Sequence, residues 1–164
     1  MNRRQAVVLA VALLGAVALA ALLTVPPLPL VDAGEYETTT VTVHDSEGSR
    51  LASVDVRIAD TREKRRIGLM RTDSLGGGSG MLFVHPREGT YTYHMRNMSF
   101  DIDIVFVDAE GTVTRIHHAS APDPGEDSDT YTGHGRYVLE VPRGYTNATG
   151  INPGDRVEIS GDVG

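Results

Sequence analysis

Two acidic residues, Asp103 and Glu140, stand in stretches that otherwise read as buried strand, IDIVFV at 102–107 and RYVLEV at 136–141. A carboxylate placed among valine and isoleucine side chains without a partner costs on the order of several kcal/mol, so each needs a partner or a use. Arg71 and Arg96 are the cationic candidates for Asp103. Asn97, just ahead of the first stretch, carries an amide suited to tying down a turn. Two chemistries follow. Arg71, Arg96, Asn97, Asp103 and Glu140 gathered around one pocket would bind a small polar ligand. Asp103 and Glu140 facing each other across it would be the acid and base of a hydrolase acting on cell-surface material. The competing reading makes these residues buried ion pairs and turn caps in a purely structural surface module, since such networks also perturb titration.

Other motifs narrow the chemistry. With no cysteine in the chain, disulfides, thiolate metal sites, a cysteine nucleophile and a lipid-bearing cysteine are excluded. Six histidines invite a metal, but His117 and His118 are neighbours on a predicted strand and point to opposite faces. His85, His94 and His134 converge only if the fold brings them together. The expectation is no metal and no cofactor. The glycine-rich run 76–80 lacks the Lys-Ser/Thr ending of a phosphate loop, and no GxSxG elbow is present. Asn97 and Asn147 both open glycosylation acceptor triplets, and Asn147, in a polar turn, is the better acceptor.

These side chains need a framework, and its elements are short. Residues 39–44 and 51–59 alternate and are rich in β-branched side chains, which predicts a hairpin closed by 45–48. Asp60 to Glu63 has the form of a capping box for a helix over 61–70; its basic run Lys64, Arg65 and Arg66 could form an anion patch, but the favoured reading is a solvated face with Glu63 spaced to pair with Arg66. Strands follow at 81–85, 91–95, 102–107 and 112–117, with a turn at 86–89. In 102–107, Ile102, Ile104 and Phe106 face one way and Asp103, Val105 and Val107 the other. Both faces are apolar, so this strand is central. Residues 119–134 read as an acidic loop, 136–141 as a strand, 142–150 as a short helical turn closed by Gly150, and 156–160 as the last strand. The expected fold is mainly β, α+β at most: a small barrel-like or sandwich domain with one or two short helices, behind an N-terminal hydrophobic helix.

Five segments in order, IADTREKRRIGLMR, GMLFVHP, YHMRNMSFDIDIVFVDAEG, YVLEVPRG and INPGDRVEI, resemble the domain of unknown function 192 family of prokaryotes, over about 54–159. The resemblance implies a mostly β extracytoplasmic domain, often behind a signal or membrane anchor, and no established activity. This chain has His94 where the family usually has Trp, Met98 for Thr and Asp101 for Pro. The family's loop cysteine is replaced in the region of Ala121 and Pro122.

The charge and the N-terminus complete the reading. Residues 1–31 hold two arginines and no acid; beyond them 13 basic residues face 22 acidic ones, a net of −9. An acidic domain is a poor nucleic-acid binder. Lys64 is the single lysine, a bias resembling proteins of salt-loving microbes and also produced by a GC-rich genome. The apolar run 6–25 is long enough, at roughly 30 Å as a helix, to cross a bilayer. Arg3 and Arg4 then stay cytoplasmic and the domain lies outside. Small residues at 18–21 also fit a cleaved signal that would release it. The expected layout is a signal or anchor at 1–31, a linker at 32–38 and one domain at 39–162, partnered by the membrane through 6–25 and by a small polar ligand or an envelope protein.

Overall fold

The structure, a computed structural model, describes residues 35–163. The anchor or signal reading of 6–25 lies outside the described residues. Among the described residues no helix is long and apolar enough to cross a membrane.

Seven strands and two short helices run in the order β1 (Thr38–His44), β2 (Arg50–Ala59), α1 (Arg62–Ile67), β3 (Ser79–His94), β4 (Ile102–Val107), β5 (Val113–Ala119), β6 (Thr130–Pro142), α2 (Tyr145–Thr149) and β7 (Arg156–Ile159). They form one sheet, β5-β4-β6-β3-β2-β1-β7, curled into a half-barrel. All neighbours are antiparallel except β2 and β3. A parallel pair needs a crossover connection. Helix α1 and the glycine-rich loop supply it, which gives that loop a structural task.

The sheet is apolar on both sides. On one side Val54, Val56, Leu82, Val105, Val107, Leu139 and Val141 form a core with Ile151, which follows α2. On the other, Met81, Phe83, Ile102, Ile104, Phe106 and Val138 pack against Leu69, Met95 and Met98. The expected alternation in β4 is what the fold shows, and all six of its residues are buried.

Three elements differ from the sequence reading. The N-cap of α1 is Thr61, whose side chain accepts from the Lys64 amide; Asp60 instead pairs with the Lys64 ammonium at 3.1 Å. The basic run is not a solvated face. Lys64 is buried, and Arg65 donates to the carbonyls of Asp60 and Val84. Glu63 and Arg66 form no ion pair among the described residues.

Strand β3 runs through the expected turn, since the register shift between Val84 and Gly89 leaves Pro86 outside the ladder. Strand β6 starts well before 136, because Gly133 and Gly135 are strand glycines, not turn formers. A Cβ on Gly133 would land in the Phe106 ring, and one on Gly135 against the Val107 backbone. Gly133→Ala is expected to lower the unfolding free energy by about 1–3 kcal/mol through overpacking, read as a lower denaturant midpoint at unchanged slope.

Candidate functional site

The register of β4 against β6 decides what Asp103 and Glu140 can share. Asp103 lies opposite Val141 and Ile104 lies opposite Glu140. Paired residues share a face and neighbours alternate. Asp103 therefore points to the side of Val105 and Leu139, and Glu140 to the side of Ile104 and Met81. The two acids are separated by the sheet, so they cannot be the paired acid and base of a hydrolase.

Asp103 is fully buried and closed off. Its Oδ1 lies 2.7 Å from His118 Nδ1, on the paired residue of β5. Its Oδ2 accepts from the Thr146 amide at 3.0 Å and the Thr146 hydroxyl at 2.7 Å. Arg143 Nε stands 3.9 Å away. Burial pushes this carboxyl up. Hydrogen bonds from His118, Thr146 and the Gly144 backbone outweigh it and hold the group below the ordinary aspartate range. The expected partners Arg71 and Arg96 are not there. Arg71 is exposed beyond α1, without a hydrogen bond or ion pair among the described residues.

Arg96 and Asn97 line a different hollow, with Asp101 and the acidic loop, of about 970 Å³. None of its polar lining residues is buried. Asn97 does serve a turn: it is left-handed (φ 58°), the one such non-glycine among the described residues. Asn147 is exposed on α2, where a modifying enzyme could reach it. His85, His94 and His134 do not gather, and the described residues hold no group of three metal-ligating side chains.

Glu140 is the exception among the predicted residues. It is 6 % exposed, and no hydrogen bond or ion pair reaches its carboxyl among the described residues. It forms part of the wall of a pocket of about 420 Å³ under α1, lined also by Phe83, Met95, Met98 and Ile102. Burial alone pushes its carboxyl up to about 8, so at neutral pH it is mostly the uncharged acid.

Beside it His85 Nε2 shares a 2.9 Å hydrogen bond with the Tyr93 hydroxyl, and the His85 ring stacks on Tyr91 at 3.5 Å. Burial, then the Arg65 charge, lowers His85 to about 4, which keeps it neutral. Burial and then the nearby Glu140 push the Tyr93 phenol up. Arg62 and Arg66, one helical turn apart, complete the mouth. The sequence reading placed Arg65 on a solvated face and weighed His85 only as a metal ligand, and it missed Tyr93. The clue available was period: His85, Tyr91 and Tyr93 share parity in one strand once its turn is read as a bulge.

The pocket thus sets one nearly buried acid among apolar side chains, with exposed arginines of α1 also in its lining. The family model DUF192, described as "Uncharacterized ACR", matches residues 42–159. The chain belongs to this family. No curated protein matches it. Among solved structures, the DUF192 domain is similar to a Sinorhizobium meliloti 1021 protein provisionally described as a transcription regulator. The two are 26 % identical with a TM-score of 0.70, over 77 % of this chain and 96 % of that one. It is also similar to a protein of unknown function from Novosphingobium aromaticivorans DSM 12444. That pair is 31 % identical with a TM-score of 0.67, over 80 % of this chain and 89 % of the other. His94 and Met98 also line the Glu140 pocket.

Proposed function

We propose that this DUF192 domain is a non-enzymatic binding module for a small polar ligand, carried on the outer side of a membrane by the apolar run 6–25. One observation carries the binding reading: Glu140 is nearly buried, has no hydrogen bond or ion pair among the described residues, and lines a pocket. A protein keeps a buried carboxyl without a hydrogen bond at a cost in stability. Leucine or methionine at this position would remove that cost, so the acid makes sense as one half of a contact that a ligand completes. The pocket's volume falls in the range of small-molecule sites, and apolar walls with a few convergent polar groups are their common form.

The walls supply their own reporters, Met70, Met95 and Met98. The full chain, labelled on its methionine methyls and kept in detergent, should be titrated with a library of small polar organic fragments. Shifts confined to these three methyls are expected for the fragments that bind. A library that moves none of them sinks the reading. Protease accessibility of the domain on sealed cells tests the outward orientation: digestion without lysis is expected, and protection until lysis overturns it.

A further inference from the structure

We propose that the ligand of the Glu140 pocket is a zwitterion, an organic molecule whose amine meets Glu140 at the floor and whose carboxylate or phosphate meets Arg62 and Arg66 at the mouth. The inference rests on the ligand-binding reading and specifies the ligand's chemistry.

The charges around the pocket are complementary to such a molecule and to nothing simpler. Arg62 and Arg66 carry no ion pair and no hydrogen bond among the described residues, although the domain is acidic. Lys64 and Arg65, between them in sequence, are both engaged, Lys64 by Asp60 and Arg65 by the carbonyls of Asp60 and Val84. The rim therefore offers two uncommitted guanidinium groups, the side chain best shaped for carboxylate and phosphate. The floor offers an acid with no cation in contact. A simple anion would be held at the rim but leave Glu140 unmatched. A simple cation would match Glu140 but pass two arginines to reach it. Phe83, Met95, Met98 and Ile102 lie between and suit a short hydrocarbon spacer.

The titratable and charged groups facing Glu140 come from α1 (Arg62, Arg65, Arg66) and β3 (His85, Tyr91, Tyr93, His94). His85 is neutral and Tyr93 stays protonated at pH 7. Glu140, mostly protonated in the free protein, loses its proton to solvent when an ammonium docks on it, while the ligand amine keeps its own. Binding should release about one proton per ligand at pH 7.

The experiment is calorimetric titration of the full chain at pH 7 in two buffers of different ionisation enthalpy. The probes are ω-amino carboxylates of increasing chain length, each matched by the amine and the carboxylic acid of equal length. One chain length is expected to bind at least about tenfold tighter than either matched compound, with proton release near one, because each charged contact is worth at least that factor. Glu140→Gln should abolish the release, and Arg62→Ala with Arg66→Ala should abolish the preference for the acid-bearing probe. Because both arginines are exposed, the double variant remains informative even if Glu140→Gln fails to fold. Equal binding of the matched amine or acid, heats free of proton release, or no binding by any probe each overturns the zwitterion. The fragment-induced methionine shifts report on the pocket independently of all three outcomes.

Discussion

Replacing Asp103 by alanine is expected to lower the unfolding free energy by about 3–5 kcal/mol, the range for removing one partner of a buried charged network. Asp103 acts as a helix cap supplied from the sheet. Helix α2 starts at Gly144, which has no side chain to cap it, and the amide of Thr146 in its first turn would otherwise be buried without an acceptor. Oδ2 of Asp103 accepts that amide and the adjacent hydroxyl, while Oδ1 binds His118. Alanine would orphan all three donors and detach α2 from β4. Asp103→Asn preserves the shape and one acceptor, so its loss should be smaller, roughly 1.5–3 kcal/mol as for hydrogen bonds to charged groups. His118→Ala should cost least, since its side chain is 38 % exposed and can be replaced by water.

The sign of the pH dependence follows from the depressed folded-state value. The contribution is complete above the ordinary aspartate value of 3.8 and is lost as pH falls from there through the folded value. Urea midpoints measured across pH 2–5 should show a steep acid limb that Asp103→Asn flattens. An unchanged limb would falsify the capping role.

How much of this was legible in the sequence depended on whether the signal was local. The alternation of β4 is local, and its two faces were correct. The glycine after α2 is local too, and Gly150 does close that helix in a left-handed conformation. The partners of Asp103 were not local in the same way. Counting tightly around the 108–111 turn would set Ile116 opposite Asp103. Val107 pairs with Val113, one residue beyond a tight turn, and the register shift at Phe106 and Val107 adds another, which together bring His118 there instead. Thr146 is 43 residues away, and no pattern in the chain links it to Asp103.

The parity of Glu140 relative to Asp103 required the β4–β6 register, which only the folded sheet fixes. One-residue differences of that kind decide whether two acids share a pocket or stand on opposite sides of a sheet. Similarly, Gly133 and Gly135 look like turn formers until Phe106 and Val107 are seen to need the space above them. The sheet thus divides the polar residues into two kinds. Asp103 is satisfied from three directions and belongs to the scaffold. Glu140 has no partner among the described residues and belongs to the cavity.

That division predicts an unusual pH profile on the opposite limb. Glu140 has an ordinary value of 4.5 and a folded value pushed up to about 8 by burial. Between these two pH values the unfolded chain has released the proton and the folded chain still holds it, so folding takes up a proton. Stability contributed by this group is fully present below 4.5 and is lost as pH rises through about 8. At about 1.4 kcal/mol per pH unit, the loss across that window approaches roughly 5 kcal/mol as an upper bound. Most domains are flat or gain stability over the same range.

His85, lowered from 6.5 to about 4, contributes the opposite slope up to about pH 6.5, so the expected result is a decline in urea midpoint from pH 6.5 to pH 8 in the ligand-free chain, and a nearly level midpoint over that window in Glu140→Gln. Above pH 8 the glutamine variant should be the more stable of the two, because it never buries a charge. A ligand that supplies a cation would reverse the slope by lowering the folded value of Glu140, so the profile of the free protein is also the baseline for any bound one. If the wild-type midpoint stays level from pH 6.5 to pH 8, the carboxyl is solvated or paired, and Glu140 is not the floor of a binding site.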